Sequence, residues 1–247
     1  MSLAKFLSLL TKSSIYFCRG LELREQDPFE GTLSRPDLDL CNALIKDEEF
    51  MQRYTGFPLE ACRSRELREY LFDPQRRKQD GDNSAALIYI NCWNMNEHES
   101  AFLWSVYAPP ADGVAIKSTI GRLKESIKND TRSICIGPIQ YIDYDRDHIE
   151  PGNMFNPFFR KRRSFEPERE LRACFLQSVE KPEDLRNAKA IYPSGQDVAC
   201  DIRTLIERVC ISPSAPAWYS DVVKDTVARL GADLLVTKSS ISDPAIF

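Results

Sequence analysis

The sequence predicts an α+β fold, a single mixed domain over residues 1–247 with a central, largely antiparallel sheet flanked by helices. Short apolar runs typical of buried strands alternate with stretches at helical spacing, without the sustained strand–helix–strand rhythm of a parallel sheet. The composition, 43% hydrophobic and 28% charged, is that of a globular chain long enough to bury a core.

The first third of the chain is predicted to be mainly helical. The run LAKFLSLL carries its apolar residues at helical spacing behind a serine, so residues 2–11 are predicted to form an amphipathic docking helix rather than a signal peptide. A short strand is expected at 15–19, and helices at about 38–54 and 59–72. The polar stretch DPQRRKQDGDNS, residues 73–84, is predicted to be an exposed loop.

Strands and helices then alternate over the rest of the chain. In the helix expected at 97–107, Phe102, Leu103 and Val106 are predicted to face inward. Pro138 is predicted to interrupt one strand, because proline cannot donate a hydrogen bond to a central ladder. The predicted strands are 86–93, 114–117, 133–145, a strand that begins within the charged stretch 164–172 and runs to about 177, 197–202, 207–212 and 234–239. The other predicted helices are 119–128 and 216–230.

Charge, cysteine content and hydropathy disfavour several classes of protein. The formal net charge of −4 disfavours a surface that coats nucleic acid broadly. None of the eight cysteines has C-x-x-C spacing, so reduced thiols in a cytoplasmic protein are expected. The two histidines lie too far apart for a local zinc site, and no metal is expected. No apolar run reaches the length of a membrane span, so no membrane partner is expected.

Motifs for phosphoryl transfer and for hydrolysis are incomplete. The run VAIK, residues 114–117, matches the lysine-bearing strand of protein kinases, but the sequence has no glycine-rich loop, H-R-D or D-F-G to accompany it. His98 and His148 lie in polar stretches, and each is expected to be a solvated surface residue rather than a catalytic base.

The segment 155–172, FNPFFRKRRSFEPERELR, is the densest in charged and aromatic residues. Its first half could bind phosphates, with rings stacking on bases. The preferred interpretation is a structural charge cluster in which Arg160, Lys161, Arg162 and Arg163 pair with the glutamates that follow. On the predicted strand Glu168, Glu170 and Arg172 share one face, with neighbours about 7 Å apart. They are interpreted either as a carboxylate pair at the edge of a cleft, kept charged by Arg172, or as an ion-pair ladder that fixes strand register.

Four stretches, taken together, resemble one protein family. They are SLAKFLSLLTKSSIYFCRGLELREQDPFEG, HESAFLWSVYAPPADGVAIKST, IQYIDYDRDHIEPGNMFNPFFRKRRSFEPERELRA and RVCISPSAPAWYSDVVKDTVARLG. Their order is similar to that of the prokaryotic domain-of-unknown-function family number twenty-nine seventy-one, over nearly the whole chain. Relatives usually place a short strand before the first helix, whereas this chain begins at that helix, and Phe165 stands where many relatives have tryptophan.

The resemblance supplies no activity, but it marks polar and aromatic positions as candidates for ligand binding or catalysis. They are Asp27, Glu30, Trp104, Tyr107, Gly113, Lys161, Arg162, Glu168, Glu170 and Arg172. Each position also has a structural interpretation, such as a turn at Asp27 or a core contact at Trp104.

The first functional hypothesis is an ADP-ribosyltransferase-like enzyme that uses NAD as a substrate and acts in bacterial defence or toxicity. Such enzymes are similar in opening strand–helix–strand and in carrying E-x-E on a late strand. Glu170 would then be the catalytic carboxylate that stabilises the oxocarbenium-like state as nicotinamide leaves, and Glu168 would orient the acceptor. Arg19 or Tyr16 would lie near the dinucleotide.

Two other hypotheses stay open, so the sequence does not decide whether the protein is an enzyme. One is a non-catalytic binding or regulatory module that recognises a nucleotide, another phosphate-bearing ligand or a protein partner through residues 155–172. The other is a metal-dependent nuclease in which Glu168, Glu170 and Asp27 hold the metal.

Overall fold

The computed structural model describes residues 1–108 and 111–245, and it has the α+β fold that the sequence predicts. Within these two ranges, no helix is both long enough and apolar enough to cross a membrane. The helices are α1 (Leu3–Lys12), α2 (Arg35–Lys46), α3 (Glu48–Thr55), α4 (Leu59–Arg63), α5 (Arg65–Phe72), α6 (Pro74–Ala85), α7 (Ala101–Tyr107), α8 (Ile120–Ser126), α9 (Ala188–Ile191), α10 (Ile202–Leu205) and α11 (Ala217–Arg229).

Within the described residues, the strands form three sheets. They are β1 (Ser14–Arg19), β2 (Ile88–Asn94), β3 (Val114–Lys117), β4 (Cys135–Pro138), β5 (Gln140–Ile142), β6 (Arg160–Arg162), β7 (Glu170–Leu176), β8 (Gly195–Ala199), β9 (Arg208–Ile211) and β10 (Val236–Lys238). The largest sheet has the order β4-β7-β2-β1-β8, and its described pairings are antiparallel, as predicted. A second sheet has the order β10-β9-β3, and β5 pairs in parallel with β6.

Contacts between residues divide the chain into two compact units. Unit 1 comprises Met1–Phe17, Met95–Arg132 and Asp197–Phe247, and it contains the sheet β10-β9-β3. Unit 2 comprises Cys18–Asn94 and Ser133–Gln196, and it contains β2, β4, β7 and helices α2 to α6. A single domain over the whole chain stays a prediction.

Strand β7 is the most enclosed strand of unit 2. It pairs with β2 along its whole length, from Ile88 opposite Leu176 to Asn94 opposite Glu170, and with β4 on its other side. Every residue from 170 to 175 is buried. Because β7 is covered on both edges and both faces, it carries the charged side chains at 170 and 172 into the interior of unit 2.

Helix α1 confirms the amphipathic helix predicted at the start of the chain. The Ser2 side chain accepts a hydrogen bond from the backbone of Lys5, which caps the first turn. The helix ends where Ser13 adopts a left-handed conformation. Phe6, Leu9 and Leu10 form its buried face within unit 1.

The predictions for residues 73–84 and for the buried face of α7 are wrong. The stretch 73–84 is not a loop but largely helix α6, because the Asp73 side chain caps the first turn and Pro74 fits the first helical position, signals that outweigh the lack of an apolar face. In α7, Phe102 and Val106 do not face inward: their exposed fractions are 50% and 52%, and the helix buries none of its side chains.

Helices α2, α3, α5 and α6 of unit 2 start at side-chain caps, and three of these helices, α2, α3 and α6, line the cleft described below. Ser34 and Asp37 form a reciprocal capping box at the start of α2. The single helix predicted at 38–54 is divided into α2 and α3 because Asp47 caps the second helix through the backbone of Phe50 at 2.8 Å. Leu44, Met51 and Cys62 form the small apolar core that joins these helices.

Candidate functional site

The guanidinium of Arg172 is buried, with an exposed fraction of 1%, and all five of its N–H donors are used. Two nitrogens bind the Glu30 carboxylate at 2.6 and 2.8 Å, and two bind the Glu170 carboxylate at 2.6 and 3.2 Å. The fifth donor binds the backbone carbonyl of Phe158 at 2.7 Å. Arg172 therefore joins β7 to the turn at Glu30 and to the short 3₁₀ helix Asn156–Phe159.

Lys161 connects the same carboxylates to a third one. Its ammonium lies 2.5 Å from Glu168, 3.1 Å from Glu170 and 3.8 Å from Glu30. All of these side chains are buried. We call Glu30, Lys161, Glu168, Glu170 and Arg172 the buried ion network.

The local backbone explains how Glu168 and Glu170 come together, and it corrects the predicted strand. Glu168 does not lie on the strand with Glu170, but ends the 3₁₀ helix Arg163–Glu168. Arg169 then takes a left-handed conformation, with φ of 42°, and β7 begins at Glu170. The two carboxylates meet at Lys161 because this reversal turns both side chains toward β6.

The charges of the buried ion network stabilise one another. Burial alone would raise the pKa of Glu170, but the Arg172 guanidinium and then the Lys161 ammonium lower it to about 2. Burial would lower the pKa of Lys161, and Glu170, Glu168 and Glu30 raise it above its ordinary value. Glu170 is thus held ionised by two buried cations, which fits the ion-pair interpretation of E-x-E-x-R.

Asp27 and Arg162 form a second buried contact beside the buried ion network. Asp27 is buried, and its carboxylate lies 2.7 Å from the Arg162 guanidinium and accepts a hydrogen bond from the backbone of Phe29. The same guanidinium lies over the rings of Phe29 and Phe165, 4.7 and 5.4 Å from their centroids. Phe165 therefore provides the aromatic face expected at this position.

The other predicted site residues are not members of the buried ion network. Arg19 is buried, and it binds Glu22 and the backbone carbonyls of residues 189 and 192. Tyr16, Trp104 and Tyr107 belong to unit 1, whereas the buried ion network belongs to unit 2. Their roles as ligand contacts stay predictions.

Unit 2 contains a cleft of about 1840 Å³. Its walls come from the turn that follows Asp27, from α2, α3 and α6, and from residues 140–160. The charged residues along it are Arg24, Asp37, Asp39, Arg77, Lys78, Asp80, Asp82, His148, Glu150 and Arg160, and its aromatic residues are Phe50, Tyr54, Phe72 and Phe158.

The buried ion network lies directly behind one wall of this cleft. Phe158, whose carbonyl accepts from Arg172, lines the cleft together with Gly31, the neighbour of Glu30. Gly31 has a φ of +66°, and a Cβ added there would overlap the Phe158 ring. Close packing at Gly31 and the hydrogen bond to Arg172 therefore fix the position of Phe158.

Sequence reasoning missed the pair formed by Asp37 and His148. The imidazole Nδ1 of His148 lies 3.0 Å from Asp37 Oδ1, and both residues line the cleft. The S-x-x-D pattern at 34–37 gives a capping signal for Asp37, but nothing in the local sequence links it to a histidine 111 positions away. His148 is exposed, as predicted, but its contact with Asp37 was not predicted.

In residues 1–108 and 111–245, no group of three or more His, Cys, Asp or Glu side chains is placed to hold a metal ion. Comparison with family models, with curated proteins and with solved structures finds no match to this chain. The family resemblance stays a prediction, and the site is interpreted from its own geometry.

Replacing Arg172 with methionine is expected to lower the free energy of unfolding by about 3–5 kcal/mol, because Glu30 and Glu170 would remain buried without their shared counter-charge. Urea denaturation followed by circular dichroism measures the change. Arg163→Met is the matched control, since Arg163 forms an exposed pair with Asp147 and should cost less than about 1 kcal/mol. Equal losses in the two variants would contradict a structural role for Arg172.

The contribution of Glu170 to the free energy of unfolding should decrease as the pH falls. Because its pKa falls from 4.5 to about 2 on folding, its contribution is fully present above about pH 4.5 and is lost as the pH falls toward 2. The difference in unfolding free energy between wild type and Glu170→Gln should therefore shrink over this range. Glu166→Gln, at an exposed position of the 3₁₀ helix Arg163–Glu168, should differ from wild type by less than about 0.5 kcal/mol throughout. A constant Glu170→Gln difference between pH 5 and 2 would contradict the assignment.

Proposed function

We propose that unit 2 is a binding module for a small phosphate-bearing ligand, a nucleotide in the first instance, and that the ligand occupies the cleft of about 1840 Å³. This cleft carries the proposal, because concave, mainly pre-formed sites with a few converging polar groups are where proteins bind small molecules. Its volume is ample for a nucleotide.

Cations on two walls of the cleft support an anionic ligand. Arg160 lies on β6 opposite Gln140, and both line the cleft. The hydrogen bond described for the Arg160 guanidinium goes only to the neighbouring carbonyl of Phe159, at 3.3 Å. Arg77 and Lys78 enter from α6. An arginine guanidinium offers several N–H donors whose fork geometry matches the oxygens of a phosphate group.

An aromatic pair supports a base or another flat ring as part of the ligand. Phe50 and Tyr54 lie one turn apart on α3, with ring centroids 6.1 Å apart, and both line the cleft. Tyr54 is exposed rather than packed in the core. Any of the nucleotide bases can stack on such a ring.

The acidic residues of the cleft favour a small ligand over a polymer. Asp82 pairs with Arg24, and Asp37 is occupied by hydrogen bonds, but Asp39, Asp80 and Glu150 also lie along the walls. The sugar-phosphate backbone of a nucleic acid would pass several of these carboxylates and be repelled, whereas the phosphates of a single nucleotide can bind at the cations alone.

The wild-type protein should be stabilised by at least one of ADP, ATP and NAD, measured by thermal shift and then by calorimetry. Arg160→Ala should weaken the binding of that ligand about tenfold or more, because one charge-assisted contact is lost. Arg163→Ala is the matched control, since Arg163 does not line the cleft.

Lys161 is not suited to this test, because its ammonium holds three buried carboxylates and its reversal would disturb folding. The absence of binding by all three nucleotides, or equal weakening by Arg160→Ala and Arg163→Ala, would contradict the proposed site.

A second candidate function is NAD-dependent ADP-ribosyl transfer, with Glu170 as the catalytic carboxylate and Glu168 orienting the acceptor. One observation favours it: two carboxylates converge on a single cation, and Glu170 is kept ionised. A positively charged oxocarbenium-like state could take the place of the Lys161 ammonium. This requires Lys161 to withdraw, since both acids are buried beneath it.

The candidate is tested by incubating the protein with NAD and measuring release of nicotinamide. Release by wild type should fall about a hundredfold or more in Glu170→Gln and persist in Glu166→Gln, with folding checked by circular dichroism. NAD binding without any release of nicotinamide would contradict the transferase and would be consistent with the binding module.

Either function would operate on nucleotides available in the cytoplasm, and a role in bacterial defence or toxicity belongs to the transferase alternative. The cysteines support a reducing compartment, because all eight lie within the described ranges as free thiols.

A further inference from the structure

We propose that His148 is a general base, oriented by Asp37, and that it activates water to hydrolyse a phosphate ester held in the cleft of unit 2. The inference rests on the proposed binding function, since it takes the ligand to be the phosphate-bearing molecule bound there. It differs from the transferase candidate in residues, in chemistry and in position.

Asp37 is fixed by hydrogen bonds from several donors. Its carboxylate accepts from the backbone of Ser34 at 3.0 Å and from the hydroxyl of Ser34 at 2.7 Å. It also accepts from the backbone of Ile149 at 3.2 and 3.3 Å. The residue is buried, and it lies in the first turn of α2. Its oxygen therefore has a defined direction in which to receive the ring of His148.

The bond between Asp37 and His148 determines the tautomer of the ring. A carboxylate oxygen only accepts, so the proton must lie on His148 Nδ1, which is 3.0 Å from Asp37 Oδ1. In the neutral ring the lone pair is then on Nε2, on the side away from Asp37. This is the relation in which a carboxylate prepares a histidine to take a proton.

The segment that carries His148 is anchored to the start of α2. The backbone of Arg35 donates to the carbonyl of Tyr144 at 2.8 Å, and the Arg35 side chain binds Asp145 at 3.0 Å. With the bonds of Asp37 to His148 and Ile149, these contacts hold the segment at several points. The imidazole is thereby positioned by the backbone as well as by the carboxylate.

The ring of His148 is also accessible. Its side chain has an exposed fraction of 61%, compared with 10% for Asp37, and it lines the same cleft as Arg160. The pair thus has a buried, saturated carboxylate on one side and an imidazole nitrogen open to a ligand or water on the other. Ser34 is not a nucleophile in this arrangement, because its hydroxyl donates to Asp37.

The chemical step is an in-line hydrolysis. His148 Nε2 takes a proton from water as the water oxygen forms a bond to phosphorus, and the bond from phosphorus to the ester oxygen breaks. The leaving oxygen lies opposite the attacking water, so it takes its proton from solvent, and the imidazolium releases its own proton to solvent. The products are an alcohol and a phosphate, with the ring restored. Arg160 stabilises the negative charge on the non-bridging oxygens. His148 is the catalytic residue, and Asp37 is a positioning residue.

The test uses the full chain with p-nitrophenyl phosphate and bis(p-nitrophenyl) phosphate, followed by release of p-nitrophenol. Wild type should turn over at least one of them, and His148→Gln, purified identically, should lose about a hundredfold or more in kcat. Asp37→Asn should lower kcat and leave KM nearly unchanged, because the ring loses its orientation but the ligand contacts remain. Added imidazole should restore part of the activity of His148→Ala, an effect that a merely structural histidine would not show.

Each outcome decides the inference separately from the proposed function. If a nucleotide binds but neither nitrophenyl ester is hydrolysed, the general base is overturned and the binding module stands. If neither binding nor hydrolysis occurs, both fail. Hydrolysis that persists in His148→Gln also overturns the inference, and so does a failure of imidazole to restore activity to His148→Ala. Activity toward p-nitrophenyl acetate alone would overturn it as well, because that ester carries no phosphate.

Discussion

The buried guanidinium of Arg172 is the interaction on which the organisation of unit 2 depends. A charge in the interior loses its hydration, and this loss is offset only when counter-charges and hydrogen bonds surround it completely. Arg172 meets that condition with two carboxylates and one backbone carbonyl. The three groups come from the turn at Glu30, the 3₁₀ helix at Phe158 and β7, so one side chain specifies how three distant stretches meet.

The same arrangement gives the E-x-E-x-R segment a structural role. Its carboxylates are engaged by Lys161 and Arg172, and the wall of the cleft lies in front of them. The buried ion network therefore acts first as the support of Phe158 and of the turn that carries Gly31. Binding chemistry is provided by residues on the open side, where Arg160 and His148 are located, and the transferase alternative needs the support itself to rearrange.

The sequence predicted what local patterns determine. Periodic apolar residues identified α1. The basic run before the glutamates gave internal pairing as one of two interpretations, and Lys161 forms such pairs whereas Arg162 and Arg163 pair with Asp27 and Asp147. It did not predict the cleft, because its walls come from segments roughly a hundred residues apart, nor the meeting of Asp37 with His148. Helix α6 was missed because its evidence lies in the capping residue rather than in an apolar face.

The saturation of Arg172 also limits how this chain could diverge. Lysine offers three donors on a compact ammonium and cannot reproduce two forked contacts, so no single conservative exchange suits position 172. Changes at Glu30 or Glu170 would in turn leave the guanidinium with an unmatched donor pair. Proteins descended from this sequence should therefore keep Glu30, Glu170 and Arg172 together or replace all three. The joint presence of the three residues would then indicate common ancestry even at low overall sequence identity.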